Sequence, residues 1–336
     1  MTNEIIDMHI HFGAPSDPKD PNGCYWSKEF EDTITYFALR VITRNLFGDV
    51  TIDKIKSQMI KIVNDSKYVK KGLFLALDQV YDPNGTPRKD LTHLHTSNKY
   101  LANLAAQNPR ILFGASVNPY RKDWEAELDF CIQKNAMLCK WLPSAQNIDP
   151  SNSAFIPFYK KLAKHNLPLL CHTGPEYSIP PFEQARQLLN HPKLLRNALD
   201  NGVTVIAAHV ALPLFPIDNT DDLKELIALF KEADKKKWNL YADISAMLFV
   251  NRSAVYQVYR KEIPQDRLIM GSDYPIPMSE FTVTRSSSLM KRLQILTQSI
   301  FMQNLLDKNY TLLKEMGFTP EVLSRASVLF SKINRT

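Results

Sequence analysis

This chain of 336 residues has no Cys-x-x-Cys pair, no run of eighteen apolar residues and no stripe of like charge. Each absence removes a class of function. The four cysteines, Cys24, Cys131, Cys139 and Cys171, show none of the spacings of a zinc knuckle or a redox dithiol. Cys139 and Cys171 lie inside apolar runs, the expected setting of reduced core thiols in a cytosolic protein. Without a long apolar stretch a membrane-spanning helix is not expected, and the N-terminus lacks the basic-then-hydrophobic layout of a secretory leader. The expectation is a cytoplasmic protein. The 41 Lys+Arg outnumber the 35 Asp+Glu to give a formal net charge of +6, but the charges are scattered. The densest run, Lys235-Lys236-Lys237, follows an apparent helix from Asp221 to Ala233, where lysines suit the helix dipole. No nucleic-acid partner is expected from that distribution. Linkers, low-complexity tracts and internal repeats are also missing, so residues 1–336, 44% of them hydrophobic, read as a single domain.

What is present is a series of eight short apolar runs: Ile5 to Phe12, Gly72 to Gln79, Ile111 to Asn118, Ala136 to Leu142, Leu167 to Thr173, Thr204 to Val210, Leu240 to Ala246 and Leu268 to Ser272. Near-continuous hydrophobicity over such lengths suits parallel strands covered on both faces. The segments between them carry helical periodicity. Ile52, Ile55, Met59, Ile62 and Val63 share one face after a cap at Asp49 or Thr51, and Leu223, Leu226, Ile227 and Phe230 share another after Asp221. Asn108-Pro109 and Asn201-Gly202 mark helix ends. Eight strands alternating with helices predict an α/β fold, a (β/α)8 TIM barrel, in preference to a doubly wound sheet. Residues 13–71 exceed one crossover helix by far. This turn-rich insertion, with Trp26, Phe30, Tyr36 and Phe37, follows the C-terminal end of strand 1 and is expected to overhang the catalytic face as a lid or as a contact in a homo-oligomer.

The polar residues of these runs share one position. His9 and His11, in Asp7-Met8-His9-Ile10-His11, are two apart on a strand, so both rings point the same way with roots roughly 6 to 7 Å apart. Lys140 ends the fourth run, His172 the fifth and His209 the sixth, while Asp273 follows the eighth in Gly271-Ser272-Asp273-Tyr274-Pro275. All lie at strand C-termini, which a barrel gathers into a ring around one pocket. Imidazoles with a carboxylate form a mixed N/O donor set that suits Zn²⁺, and Mn²⁺, Fe²⁺ or Ni²⁺ would also be acceptable.

At these residues the chain resembles the amidohydrolase superfamily, in particular the amidohydrolase-related metal-dependent hydrolases, a group that includes aminocarboxymuconate-semialdehyde decarboxylase. The resemblance extends from Asp7-Met8-His9-Ile10-His11 through His172-Thr173-Gly174, Val205-Ile206-Ala207-Ala208-His209 and Gly271-Ser272-Asp273-Tyr274-Pro275 to the C-terminal helices. It implies that His9, His11, His172 and Asp273 bind the metal, that His209 is a second-metal ligand or a catalytic polariser, and that Asp273 doubles as the base toward activated water. Lys140 occupies the position of a carboxylated bridging lysine in binuclear relatives, so Lys140 and His209 are ligands only if two ions bind. Ser324-Arg325-Ala326 departs from the Asn-Ala that many relatives carry there.

The resulting expectation is a hydrolase acting on an amide, ester or lactone bond of a small molecule through metal-activated water, with one divalent transition metal, Zn²⁺ first, or two. The alternative keeps the metal and changes the chemistry to non-oxidative decarboxylation or hydration of an unsaturated or aromatic carboxylic acid, with Arg40, Arg44 or Lys140 holding the carboxylate. A barrel that binds without catalysing is a third reading, against which the retained ligands argue. Asp7 and Asp243 are candidate partners of the ligating imidazoles or barrel-interior hydrogen bonders. Glu176 and Tyr177 either line the pocket or sit in an exposed loop. His93-Leu94-His95 imitates the first motif among polar neighbours and is read as surface.

Overall fold

The computed structural model describes residues 4–17, 19–20, 23–42, 50–180, 183–280, 282, 295, 297, 299 and 301–333. Each of the eight apolar runs contains a parallel strand: β1 (Ile6–His11), β3 (Lys71–Leu75), β5 (Ile111–Gly114), β6 (Cys139–Trp141), β7 (Leu169–Cys171), β8 (Val205–Ala207), β9 (Leu240–Asp243) and β10 (Leu268–Ile269). They form two arcs, β1-β3-β5 and β6-β7-β8-β9-β10. Two seams close the ring. At one, Ala115 pairs with Cys139 and Ala115 N donates to Leu138 O at 2.9 Å; at the other, Ile10 pairs with Tyr274, and Asp273 N donates to His9 O at 2.8 Å. The result is the expected (β/α)8 barrel, followed in the chain by helices Leu305–Glu315 and Pro320–Phe330.

Alternate residues of the strands divide between two apolar clusters, as the two-residue repeat of a strand requires. Met8, Leu73, Leu75, Leu170, Ile206 and Ile269 pack together in the barrel, where Ala326, Leu329 and Phe330 of the last helix join them. Ile10, Phe74, Phe113, Leu169 and Val205 face the surrounding helices in the larger cluster. One irregularity matters for the site. The pairing of β1 with β3 slips between Asp7 and Ile10, where Asp7 faces Gly72 and Ile10 faces Phe74. The extra residue of such a bulge lets neighbouring side chains reach the same side, so Met8 packs in the barrel while His9 and His11 turn to its upper end.

The helices follow their patterns. Thr51 caps Ile52–Asn64 by accepting from Lys54 N at 3.4 Å, and Ile52, Ile55, Met59 and Val63 are buried, whereas Ile62 is half-buried; the other candidate cap, Asp49, lies outside the described residues. Asp221–Lys236 runs past Ala233, and Lys237 ends it in a left-handed conformation, φ 60°, so the lysine run sits in and just beyond the last turn. Among the described residues no helix is long and apolar enough to cross a membrane.

One reading is corrected. His93-Leu94-His95 is not a surface loop: Leu94–Thr96 forms strand β4 and pairs antiparallel with β2, Cys24–Trp26, in the insertion. His95 is buried with Nδ1 2.8 Å from Leu77 O. The polar neighbours that suggested exposure are satisfied internally. Thr96 donates to Phe12 O and Thr92 to Arg88 O, so backbone carbonyls take the place of water.

Candidate metal centre

The side chains at the strand ends converge tightly. His9 Nε2 lies 3.1 Å from His11 Nε2 and 3.3 Å from both Asp273 Oδ1 and Lys140 Nζ, and His11 Nε2 is 3.1 Å from Asp273 Oδ1. His209 joins from the other side. His9, His209 and Asp273 each present a ligand atom within 4.8 Å of the others, and the His209 ring centre is 5.1 Å from that of His9.

The orientation of His9 is fixed from behind. Asp243 Oδ2, 2.7 Å away, accepts its Nδ1–H, which leaves the Nε2 lone pair facing His11 and Asp273. Asp243 Oδ1 accepts from His209 N at 2.9 Å and Ser245 N at 3.0 Å, and also from Ser245 Oγ. Having donated its own proton, the Ser245 hydroxyl accepts from His209 Nδ1 at 2.8 Å. Asp243 and Ser245 thus set the tautomers of two imidazoles. Sequence reading named Asp243 as one candidate partner and missed Ser245. The signal was there: Asp243-Ile244-Ser245, running off the end of β9, repeats the alternate polar placement of His9-Ile10-His11.

Local backbone conformation serves the same end. His209, Val210 and Ala211 all have positive φ, 60°, 53° and 50°, and Asp273 has φ 65°. Non-glycine residues there carry strain of about 1–3 kcal/mol each, most of all a β-branched one. The bond from His209 N to Asp243 and that from Asp273 N to His9 O hold them in place. This turn carries His209 off the end of β8 and into the cluster.

The electrostatics match a cation-binding role. Burial pushes the His9 imidazole down to about 4, reinforced by the neighbouring Lys140, and lowers His172 and His209 well below their ordinary value. Burial alone would raise the Asp273 carboxyl, but His209, His9 and His11 hold it well below the usual range. Burial also lowers Lys140. The site therefore presents the imidazoles of His9, His172 and His209 held toward their neutral form beside an ionised carboxylate.

A metal ion fits these residues. Two donors each about 2.1 Å from one ion stand roughly 3.0 to 3.4 Å apart, the range found among His9 Nε2, His11 Nε2 and Asp273 Oδ1. Asp273 Oδ1 is moreover buried without a hydrogen bond. The His9 Nε2 lone pair, left facing inward by the bond from Nδ1 to Asp243, and the ionised Asp273 oxygen 3.3 Å away form a donor pair that a cation between them would satisfy.

His172 is the one candidate left at the margin. It is buried at the end of β7 with its ring centre 4.9 Å from that of His209, but Nε2 is 3.4 Å from Pro175 O and Nδ1 is 3.4 Å from Glu176 Oε2. Glu176 is buried and lines the pocket, accepting from Ile179 N at 3.2 Å, and burial raises its carboxyl. Tyr177, beside it, donates to Asp218 at 2.6 Å.

Above the cluster lies a cavity of about 380 Å³. His11, His172, His209 and Asp273 border its floor, and Phe30, Thr35, Ala38 and Leu39 of the segment after β1 border its wall. Arg40, half-buried, sits 5.9 Å from the Tyr36 ring centre and does not line the cavity, and Arg44 lies outside the described residues. In their place Arg252 reaches the wall. Sequence reading overlooked it for want of a local signal, because Asn251 separates Arg252 from the apolar run Met247-Leu248-Phe249-Val250 and a polar pair at a helix start is ordinary.

Comparison with known proteins agrees with this architecture. The chain aligns along nearly its whole length with a TIM-barrel protein from Bordetella bronchiseptica, at 16% identity and a TM-score of 0.56, covering 94% of this chain and 99% of that one. A Staphylococcus aureus structure provisionally named an amidohydrolase matches at 14% identity and a TM-score of 0.51, covering 98% and 96%. A Pseudomonas putida structure provisionally named a 2-pyrone-4,6-dicarboxylic acid hydrolase matches at 12% identity and a TM-score of 0.50, covering 94% and 99%. These likenesses concern the fold. No curated protein matches the sequence. The family model for amidohydrolases, by contrast, matches residues 6–298, a span that starts on β1 and takes in every strand of the barrel and the whole imidazole and carboxylate cluster, and this chain therefore belongs to the amidohydrolase family.

Proposed function

We propose that the protein is a metal-dependent hydrolase of an amide, ester or lactone bond in a small molecule. The observation that carries this reading is the buried Asp273 Oδ1, without a hydrogen bond and 3.1 to 3.3 Å from two imidazole nitrogens. In this reading His9, His11 and Asp273 hold a divalent transition metal, Zn²⁺ first, and His172 completes the set. Lys140 and His209 become ligands if a second ion binds. The ion supplies Lewis acidity and lowers the pKa of water.

The protein's own groups do the rest. Asp243 holds His9 in the tautomer that leaves Nε2 free. Asp273, ionised and at the pocket floor, takes the proton of the attacking water. Asp273 would return the proton to the leaving group as the bond breaks, while His209, whose Nδ1–H is committed to Ser245 and which borders the cavity floor, would stabilise negative charge developing on the substrate oxygen. The largely apolar wall keeps bulk water away and strengthens each of these interactions.

A second reading, non-oxidative decarboxylation or hydration of an unsaturated or aromatic acid, draws support from the buried cations Lys140 and Arg252 at the site. The test is elemental analysis of protein purified without chelators, together with product scoring on lactones, N-acyl compounds and unsaturated carboxylic acids. About one transition metal per chain and hydrolytic products are expected. A metal-free protein that turns over substrate overturns the metal assignment, and release of CO₂ selects the second reading.

A further inference from the structure

Arg252 is the third residue of helix Val250–Tyr259, whose cap is Phe249, and only 3% of it is exposed. Its Nε has no hydrogen-bond partner. Among the described residues its guanidinium makes no hydrogen bond and no ion pair, yet it borders the same cavity as His11, His209 and Asp273. Guanidinium cannot escape burial by losing its proton, and an unpaired charge in the interior costs several kcal/mol. The position aggravates the cost. A cation in the first turn of a helix meets the positive end of the helix dipole, so neither folding nor helix stability accounts for an arginine here.

The nearby carboxylates do not serve as its partners. Glu176 accepts from Ile179 N and faces His172, Asp218 accepts from Tyr177 Oη and Phe215 N, and Asp273 faces the imidazoles. Arg121 shows the contrast of a paired arginine. Arg121 contacts Asp78, Asp123 and Glu127 at 2.9 to 3.3 Å.

We propose that Arg252 anchors a carboxylate of the substrate at the wall of this cavity. The planar fork of donors in guanidinium matches the two oxygens of a carboxylate, and one such anion would satisfy the buried charge. Beside Thr35, Glu176, Tyr177 and Ser178 the rest of the wall is largely apolar, with Leu39, Leu94, Leu142, Phe249 and Ile276, so the body of the ligand is a compact, mainly hydrocarbon frame on the scale of one ring. A single arginine against apolar neighbours suits a carboxylate better than a phosphate, which takes several donors. The inference rests on the proposed function for the location of the reacting centre and adds the substrate class: a compact, apolar, anionic small molecule held by Arg252 with its reacting bond toward Asp273.

The test titrates benzoate and its neutral isostere benzamide into the protein as purified, by calorimetry. It compares wild type with Arg252→Gln and Arg252→Lys, with metal content and melting temperature measured for each. Wild type should bind benzoate about tenfold or more tightly than benzamide, Arg252→Gln should lose that preference, and Arg252→Lys should retain part of it. Metal content should be equal in all three, and Arg252→Gln should melt no lower than wild type because it removes an unpaired buried charge. An absent preference in wild type, or benzoate binding unchanged in Arg252→Gln, overturns the proposal. So does a markedly lower melting temperature in both variants with the preference intact, which would make the arginine structural. Should Arg252→Gln fail to fold, Arg252→Lys decides: a preference undiminished from wild type overturns the proposal. A metal-free wild type that still prefers benzoate would remove the hydrolase reading and leave the anion site standing.

Discussion

Two buried polar clusters stand in the same barrel, and their difference separates scaffold from site. The first, beyond β3 and β5, joins Asp78, Asn98, Ser116, Asn118, Arg121 and Gln146. Asp78 accepts from Gln79 N at 2.8 Å, Asn118 N at 2.9 Å and Arg121 at 3.2 Å, while Asn98 and Ser116 exchange bonds at 2.8 Å. Gln146 closes the set on Asp78 O and Ser116 Oγ. Every side chain there has its partner. The second cluster, at the strand ends, brings together imidazoles and a carboxylate and leaves Asp273 Oδ1 and Arg252 Nε without hydrogen bonds. Buried polarity that is satisfied stabilises a fold. Buried polarity left open is waiting for something the chain does not contain.

The sharpest way to break the comparison is Asp273→Asn, which keeps the volume and removes the charge. Turnover should fall by about three orders of magnitude or more, as expected when a group both binds the metal and moves the proton, with the circular dichroism spectrum unchanged. Residual activity within tenfold of wild type would take Asp273 out of the mechanism. The mirror experiment is Asp78→Ala in the satisfied cluster. Removing one partner of a buried ion pair costs about 3–5 kcal/mol, so the melting temperature should drop by several degrees while metal content per folded chain stays constant. Loss of metal there would show that the two clusters are one system. A smaller effect is expected of Asp243→Asn. Loss of a carboxylate behind a ligating imidazole weakens metal binding by about 10- to 100-fold, read by competition with a chelator, and undiminished affinity would deny Asp243 its orienting role.

Much of the architecture was legible in the sequence, because hydrophobic runs report burial directly. All eight runs contain strands, yet the strands are shorter. Leu268 to Ser272 pairs as a strand only over Leu268–Ile269, and Thr204 to Val210 only over Val205–Ala207. The trimmed residues turn away toward the site, with His209 among them and Asp273 directly after. The pairing of β2 with β4 was illegible for a physical reason. Three-residue strands carry no measurable period, and Cys24 finds Thr96 across a separation that no local pattern encodes. Among site residues, His9, His11, Lys140, His209 and Asp273 were legible because ionisable groups in or directly after apolar runs demand an explanation. Arg252 sits in a loop-to-helix transition, where an arginine is ordinary, and only its missing partners mark it.

The hydrogen bond from Asp273 N to His9 O has a consequence for how the protein comes into being. It lies on the seam where the last barrel strand meets the first, so two of the proposed metal donors, His9 and Asp273, come from the first and the last barrel strand. During synthesis His9 emerges early and Asp273 late, and in the interval no complete coordination sphere exists. If these residues hold a metal as proposed, its capture reports completion of the ring: a half-folded chain offers scattered imidazoles, and only closure would make them a chelate. An ion bound across that seam would also act as a clasp, slowing the parting of the first strand from the last.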